Sequence, residues 1–482
     1  SPRRTKIVGT LGPGTDAPER ALALIKAGLD VARVNFSHGG AGEVIKRTKA
    51  IREAAEQFDR QIAILADLQG PKLRITGFKE GKIILEEGAR FIIDTRHGVK
   101  DGDLERVGVT YKDLPKDVEV GDSLLLDDGN IKLLIEEIDE HQVITRVIVG
   151  GKLSDSKGVN RQGGGLSASS LTDKDHLDIR TAAKIEADYL AVSFVHAAED
   201  IHQARRLFKE AGGSGGIVAK IETSEALSNI DEIIEAADVV MIARGDLGVE
   251  MPTEKVPIAQ KNIIKRCRHF GKPVVVATQM LESMISNLVP TRAEASDVAN
   301  AIYDGTDAVM LSGESAVGDY PVESVSTMNS IIENVEKDKN NFNLEVNSIE
   351  NTKKIDNTDA ITNAAYSIAN NAGAKAIITF SVSGKTTLRM ARERAPVQII
   401  GLSPNIKTAR KMQIIWGVNS CYSTKDAANT TEMVNIACGV VKNKNLVKAD
   451  DSVIITAGVP FGNAGSTNLL RIAKIIDDKD LT

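Results

Sequence analysis

Short apolar runs rich in β-branched residues recur along this chain, and each meets polar residues at or near its end. We interpret eight of them as strands, at residues 7–11, 31–36, 62–68, 189–194, 217–222, 239–245, 274–279 and 308–314. Helical patterns follow most of them, at residues 19–27, 43–58, 198–211, 225–237, 258–270, 292–303 and 322–337. Runs of this kind suit strands buried on both faces, and their alternation with helices predicts a (β/α)8 TIM barrel. An active site would then lie at the carboxyl ends of the strands.

The alternation is interrupted once and then ends. Strand-like runs separated by Gly and Asp turns, at residues 82–85, 90–94, 123–126, 131–138 and 142–149, predict a small all-β domain inserted after the third barrel strand. Such an insertion over the catalytic face would be a lid. We therefore expect a barrel from residues 1–69 and 171–340, a lid at 70–170, a linker at 341–358 and a C-terminal open-sheet α/β domain at 359–482.

Composition excludes several classes of function. The 482-residue chain carries a net charge of −6, which gives no reason to expect nucleic-acid binding. No apolar run approaches the roughly 20 residues of a membrane helix. Its 3 cysteines include no Cys-x-x-Cys pair, so we interpret them as reduced thiols. We expect a cytoplasmic protein that binds neither nucleic acid nor membranes.

Charged residues at the ends of the fifth and sixth runs form the strongest candidate site. Lys220 and Glu222 are two residues apart, as are Arg244 and Asp246, so each pair shares a face if the strand continues. Glu222 and Asp246 would be oxygen ligands for Mg²⁺ or Mn²⁺, and Lys220 a fixed cation facing charge that develops in the reaction. A structural salt-bridge cluster is the alternative. Several charges on adjacent strands beneath a lid favour metal and phosphate binding.

Other candidates are less specific. Arg33 and Asn35 share a face, and the small-residue turn Ser37-His38-Gly39-Gly40 follows; it could bind phosphate or a monovalent cation, or Ser37 could simply cap a helix. The polar residues at the last two strand ends are either functional or hydrogen-bonded core groups; they are Thr278, Gln279, Ser312 and Glu314. We favour a functional role only for Thr278. Lys157 and Arg161 in the lid are either polyphosphate contacts or solvated charges.

One loop of the C-terminal domain resembles a phosphate nest. It follows a predicted strand, opens a helix, and combines hydroxyls, a glycine and a lysine: Thr379, Ser381, Ser383, Gly384, Lys385 and Thr386. The spacing is not that of a P-loop. Because the loop is far from the barrel in sequence, we expect a regulatory role, with an ordinary capped helix start as the alternative.

An ordered set of motifs identifies a family. They lie at residues 3–13, 33–39 (Arg-Val-Asn-Phe-Ser-His-Gly), 218–222, 243–248, 277–283 (Ala-Thr-Gln-Met-Leu-Glu-Ser), 290–294 and 310–316 (Met-Leu-Ser-Gly-Glu-Ser-Ala). Over essentially its whole length the chain closely resembles pyruvate kinase of the bacterial type. The resemblance implies an ATP:pyruvate 2-O-phosphotransferase acting at the last step of glycolysis, with phosphoenolpyruvate, ADP, ATP and pyruvate as ligands. It also implies a homotetramer activated by a sugar phosphate or AMP at the loop just described.

The resemblance also implies residue roles. Glu222 and Asp246 would bind Mg²⁺ or Mn²⁺, Lys220 the phosphoryl group in transfer, and Arg33 phosphate, with Arg74 assisting. The substrate carboxylate would meet the backbone of residues 243–246, which are Ala243, Arg244, Gly245 and Asp246, together with Thr278. Thr278 and Ser312 would belong to the proton path to the enolate carbon. Nucleotide-contacting positions would be Asn35, His38, Arg74 and Lys157, and the potassium ligands would be Asn35, Ser37, Asp67 and the Leu68 carbonyl.

One departure from the family pattern concerns potassium. Potassium-dependent members carry Glu where this chain has Lys72, whose ammonium could replace the monovalent cation electrostatically. We predict that K⁺ is dispensable, although its ligands remain. Two alternative functions are kept: a phosphoenolpyruvate- or pyruvate-handling carbon–carbon lyase, which would need no nucleotide, and a catalytically inactive metabolite sensor.

Overall fold

The computed structural model describes residues 3–37, 39–166, 168, 171–340, 356–425, 427–459 and 467–476. Residues 341–355 of the predicted linker, and His38, lie outside this set. Within the described residues, no helix has the length and apolar character that crossing a membrane requires.

Eight parallel strands close into a barrel, which confirms the predicted fold class. Their β-branched and small side chains are almost all inaccessible to solvent, as strands covered on both faces require. In chain order they are Lys6–Thr10, Val31–Asn35, Ala63–Asp67, Tyr189–Val192, Gly216–Ile221, Val239–Ala243, Val274–Ala277 and Ala308–Leu311. We number them barrel strands 1 to 8.

Helices surround the barrel and bury their apolar stripes against it. They are Pro18–Ala27, Ala41–Gln57, Asp173–Lys184, Ala198–Glu210, Ile230–Ala236, Val256–Phe270, Arg292–Tyr303 and Pro321–Lys337. Capping boxes at Thr172 and Thr291 satisfy free N–H groups at two of their starts. Short helices, Ser224–Ser228, Arg244–Glu250 and Gly313–Ala316, begin directly after three of the strands.

These short helices correct part of the strand assignment. We predicted that the sixth and eighth strands extend to residues 245 and 314, but they end at Ala243 and Leu311. Arg244 and Asp246 therefore lie on a helix of 3.6-residue periodicity and do not share a strand face. The apolar pattern could not reveal this because a helix only 7 residues long gives almost no periodic signal.

The inserted segment forms the predicted all-β domain with a core of its own. Lys82–Leu85 pairs with Gly151–Ser154 in a two-stranded sheet. The larger, six-stranded sheet has the order Val159–Arg161, Ser123–Leu126, Ile131–Ile138, Gln142–Val149, Arg90–Asp94 and Arg106–Gly108. Both connections to the barrel leave from the carboxyl-end side, so the domain stands beside the predicted active site.

The C-terminal domain is the predicted open α/β sheet. Its order is Val418–Tyr422, Gln398–Ser403, Ala376–Phe380, Ser452–Ala457 and Leu469–Lys474, and its helices are Asn357–Ala372, Lys385–Arg392, Ile406–Lys411 and Thr430–Asn443. The last strand is antiparallel and was not predicted, because as a largely exposed edge strand it carries no buried apolar run. This domain covers the amino ends of the barrel strands: Val8 and Met241 inside the barrel belong to the same apolar cluster as Met390 and Met412. The carboxyl ends remain free for chemistry.

Candidate active site at the carboxyl ends of the barrel strands

A buried network of charges links three barrel strands at their carboxyl ends. Asp67 on strand 3 accepts from Arg33 Nε of strand 2 at 2.7 Å and from Lys220 Nζ of strand 5 at 3.1 Å. Lys220 also donates to Ser193 Oγ at 2.9 Å and lies 3.4 Å from Glu222 Oε1. The barrel closes residues that are far apart in sequence into one cluster, with Lys220 at its centre.

The network fixes the charge of its members. Burial disfavours ionisation of Asp67, but the charges of Lys220 and Arg33 outweigh it and hold the pKa of this carboxyl below its usual value. Burial likewise acts to lower the pKa of Lys220, and the carboxylates of Asp67 and Glu222 reverse this and raise it. Lys220 is therefore a permanent cation, held in place before any substrate arrives.

The Arg33 guanidinium is fixed by two hydrogen bonds and leaves one edge that could bind an anion. Its Nε is held by Asp67 and its Nη1 donates to Thr10 Oγ1 at 3.0 Å. Its Nη2 makes no hydrogen bond to a described residue, so one edge of the guanidinium is left for a ligand. This is the arrangement that phosphate binding by arginine uses.

Glu222 and Asp246 lie close enough for their charges to interact. Glu222 is 2% exposed and accepts from Phe194 N at 2.7 Å. Burial raises the pKa of Glu222; Lys220 opposes this rise, and the like charge of Asp246 adds to it. A divalent cation would relieve that repulsion. Among the described residues, no group of three or more His, Cys, Asp or Glu side chains is arranged to hold a metal ion. Two carboxylates nevertheless fit Mg²⁺, which also binds waters and substrate phosphates.

The start of helix Arg244–Glu250 is held rigidly from the neighbouring strand. Gly245 N donates to Thr278 Oγ1 at 2.8 Å. Thr278 has φ +71° and Gln279 φ +57°, which is strained backbone for side-chain-bearing residues and is concentrated at functional sites. The Arg244 guanidinium is turned away, toward Asp297 at 2.6 and 2.8 Å and the Thr278 carbonyl. Only the backbone of Arg244 therefore faces the site, because its guanidinium charge is neutralised by Asp297 outside the site.

Ser312 follows barrel strand 8 and carries a buried hydroxyl with no hydrogen-bond partner among the described residues. Its backbone N–H is held by Glu314 Oε2 at 2.7 Å, and Glu314 Oε1 accepts from Leu281 N. Burial raises the pKa of Glu314. Glu314 is thus a structural carboxyl that fixes two strand ends, while the Ser312 hydroxyl remains available to a ligand or a water.

The predicted potassium ligands lie on neighbouring strands but are engaged with protein groups. Asn35 Oδ1 accepts from Ser37 N at 2.9 Å, and the Leu68 carbonyl accepts from Ser193 Oγ at 2.8 Å. Asp67 faces Arg33 and Lys220. His38, which we assigned to the nucleotide, lies outside the described residues.

Lys72 stands between the barrel and the lid. Its Nζ lies 3.5 Å from Asp246 Oδ1 of the barrel and 3.5 Å from Asp128 Oδ1 in a lid turn. The three other lid candidates make contacts within the lid: Lys157 pairs with Asp127 at 3.3 Å, Arg161 pairs with Asp122 at 3.0 Å, and Arg74 donates to the Ser156 carbonyl at 2.8 Å. The structure thus places Lys72, rather than Arg74 or Lys157, beside Asp246.

The candidate effector loop of the C-terminal domain has the backbone of a nest. Gly384 has φ +84° and precedes helix Lys385–Arg392, and its N–H is held by Ser381 Oγ at 2.8 Å. Thr386 hydrogen-bonds to Thr467, and the buried Thr379 contacts Thr387 at 2.7 Å. The Ser383 hydroxyl accepts from Lys385 N at 3.4 Å. Lys385 itself is exposed.

Two residues important to the site were missed as site residues. Ser193 joins Lys220 to the Leu68 carbonyl, and its place at the end of an apolar run was the available signal. Asp297 neutralises Arg244 from helix Arg292–Tyr303. An acidic residue on an amphipathic helix is ordinary, so nothing in the sequence distinguished it.

Comparison with known proteins identifies the family of this chain. Residues 2–325 match the family model described as "Pyruvate kinase, barrel domain", and residues 359–473 match "Pyruvate kinase, alpha/beta domain". The chain is 44% identical to a pyruvate kinase of Methylorubrum extorquens over 98% of this chain and 97% of that protein. It is 44% identical to pyruvate kinase II of Salmonella typhimurium, covering 98% and 99%, and 45% identical to a pyruvate kinase of Geobacillus stearothermophilus, covering 98% and 81%. The resemblance seen in the motifs is confirmed, and the chain belongs to the pyruvate kinase family of phosphotransferases.

Proposed function

We propose that this chain transfers the phosphoryl group of phosphoenolpyruvate to ADP, giving ATP and enolpyruvate, which is then protonated to pyruvate. The observation that carries the proposal is the fixed cation pair Arg33 and Lys220, both held by the buried Asp67 at the mouth of the barrel. A phosphoryl group in transfer spreads negative charge over its oxygens, and preorganised cations stabilise that charge without rearranging.

The roles of the surrounding groups follow from their places. Arg33 would bind the phosphoryl group through its open guanidinium edge, and Lys220 would stabilise it as the bond to the enolate oxygen breaks. The backbone of Gly245, fixed by Thr278, would bind the substrate carboxylate. The unpartnered Ser312 hydroxyl, with Thr278, is suited to pass a proton through water to the enolate carbon.

Glu222 and Asp246 are the residues that would hold the divalent cation, which we infer to be Mg²⁺ or Mn²⁺. When bound, the cation would neutralise phosphate charge and orient the donor. The chain's own part is to present the two carboxylates, keep Glu222 fixed through the Phe194 N–H, and hold Lys220 within reach of the same ligand.

A coupled assay tests the reaction. Purified protein with phosphoenolpyruvate, ADP and Mg²⁺ is expected to form pyruvate and ATP in equal amounts, and omission of ADP should stop pyruvate formation. Pyruvate without ADP would indicate a phosphatase, and carbon–carbon cleavage a lyase. No turnover with any effector would favour the sensor.

For potassium, we propose that Lys72 makes the ion dispensable. Its ammonium supplies a positive charge 3.5 Å from the Asp246 carboxylate, and Asp67 is already neutralised by two cations. Turnover in K⁺-free buffer should equal turnover with K⁺, and Lys72→Glu should become K⁺-dependent. Lys152→Glu, an exposed lid change, is the matched control. Full activity of Lys72→Glu without K⁺ would contradict this.

We also propose activation by a phosphorylated metabolite at the loop of residues 379–387, in a homotetramer. The glycine-led helix start, its hydroxyls and the exposed Lys385 support a phosphate ligand, either on a sugar or on AMP. Activation by a panel of sugar phosphates and AMP should be lost in Lys385→Ala while basal turnover is unchanged. An identical activation curve in the variant would exclude Lys385 from the effector site. The homotetramer is tested separately, by measuring the mass of the purified protein in analytical ultracentrifugation.

A further inference from the structure

A small cavity lies where the C-terminal domain meets the amino end of the barrel, on the side opposite the active site. Its volume is ≈ 30 Å³, and its lining includes Arg268 and Lys272 from the barrel and Arg392 and Arg394 from the C-terminal domain. A single carboxylate, Asp307, is among the lining residues. Four cations around one carboxylate in a largely buried place is a costly arrangement unless something offsets the charge.

Two of these arginines have N–H groups without acceptors. Arg394 has a side chain only 3% exposed, and its Nη2 is held by Asp307 Oδ1 and the Gly305 carbonyl, both at 3.1 Å. Its Nη1 is buried and has no hydrogen-bond partner among the described residues, and the same is true of Arg392 Nε. Buried guanidinium donors are nearly always paired in folded proteins, so these two indicate a missing acceptor.

Other charged groups stand around the cavity. Lys272 donates to the carbonyls of Ala237 and Glu235. Glu393 interacts electrostatically with Arg392 from outside the lining. Burial and, after it, the charge of Arg394 lower the pKa of Arg268. The cations of the two domains therefore repel one another across the junction.

The backbone has made room for these side chains. Gly271 and Gly305 both have positive φ, and a Cβ on Gly271 would lie 3.1 Å from Arg392 Cδ, while one on Gly305 would lie 3.2 Å from Arg268 Nη1. Arg394 also lies over the Trp416 ring, with its Cζ 4.3 Å from the ring centroid. The guanidinium groups are thus positioned by close packing and are not loose surface charges.

We propose that this cavity binds one small oxyanion, of sulfate or phosphate size or smaller, that bridges Arg394 of the C-terminal domain and the barrel cation Arg268, with Arg392 as a further donor. Several acceptor oxygens on one ion can serve both open N–H groups, which favours an oxyanion over a halide. The volume accommodates roughly two waters or one small ion and excludes a nucleotide or sugar. The ion would join the two domains far from substrate and effector.

Location is tested by diffraction with selenate, which has the shape of sulfate and scatters anomalously. Crystals of the full chain should show an anomalous peak within hydrogen-bonding distance of Arg394 Nη1, and Arg392→Gln crystals should not. A peak that persists in the variant, or no peak in the wild type, would overturn the proposal.

Solution binding is tested by thermal unfolding in sulfate against chloride at equal ionic strength. The wild-type midpoint should rise by several degrees more in sulfate, and Arg392→Gln and Arg268→Gln should lose that extra rise. Arg206→Gln, an exposed barrel arginine, controls for general salt effects and should keep the wild-type response. Lys385→Ala controls for sulfate at the effector loop; it should lose at most the part of the rise that this loop contributes and keep the rest. In low-anion buffer Arg392→Gln should be at least as stable as the wild type, because it removes a repelled cation.

Two results would contradict the proposed oxyanion site. An equal sulfate response in all five proteins would mean an adventitious ion only. An Arg392→Gln protein that is less stable than the wild type in low-anion buffer, yet keeps the full sulfate response, would show that Arg392 merely packs against the barrel.

Discussion

Replacing Asp67 by Asn is the sharpest test of how the site is built. Asp67 is 0% exposed and balances two cations, Arg33 at 2.7 Å and Lys220 at 3.1 Å. Asn keeps the shape but removes the charge, so both cations remain buried with less compensation. The barrel should lose stability even though no cavity is created.

The size of the loss can be estimated from burial. Removing one partner of a buried ion pair costs about 3–5 kcal/mol, because the other charge is left unpaired. An exposed pair of similar geometry, Asp231 with Arg266 at 2.7 Å, has side chains 54% and 39% exposed. Exposed pairs contribute only about 0–1 kcal/mol. Asp231→Asn is therefore the matched control for Asp67→Asn.

Urea unfolding of both variants gives the comparison. Far-UV circular dichroism follows the whole chain, and fluorescence of the single tryptophan, Trp416, follows the C-terminal domain. Agreement of the two probes would show that the domains unfold together and that one free energy describes the transition. A loss below about 1 kcal/mol for Asp67→Asn, equal to that of Asp231→Asn, would refute the claim that buried charge balance holds this cluster together.

Two further perturbations have signs that the structure fixes. Burial raises the pKa of Asp188 to about 6, so its ionised form destabilises the fold above that pH, and this penalty disappears as the pH falls toward 4. Asp188→Asn should therefore stabilise the protein by up to about 3 kcal/mol at pH 8 and by little at pH 4. A thermal midpoint that differs from the wild type equally at both pH values would contradict this. Thr278→Gly should relieve the backbone strain at φ +71° and raise the stability of the protein by about 1 kcal/mol. The same change should lower turnover, because the hydrogen bond from Gly245 N is lost. Unchanged turnover would remove Thr278 from the mechanism.

Much of the architecture could be predicted because buried parallel strands and inserted hairpins leave strong patterns. The eight barrel strands, the all-β character of the lid and the C-terminal sheet except its last strand follow from apolar runs and turn residues. Glu222 could be identified from the sequence because it lies two residues after Lys220, at the end of an apolar run. In the structure the two side chains are in contact.

What could not be predicted depends on distances that sequence does not carry. The turn into a helix at Arg244 redirects that side chain to Asp297, and Lys72 lies beside Asp246 and a lid residue only because the lid leans on the barrel. The oxyanion cavity joins positions 268 and 394, which have no relation along the chain. Such contacts arise when separately predictable domains pack together.

The most direct test of the account is the behaviour of Lys220→Met in single-turnover ATP formation, with phosphoenolpyruvate affinity measured on the same protein. If the Lys220 ammonium stabilises the phosphoryl group in transfer, the rate should fall at least about a thousandfold while the dissociation constant for phosphoenolpyruvate changes by less than about tenfold. A rate close to that of the wild type, or a loss of affinity as large as the loss of rate, would contradict the central role assigned to this residue.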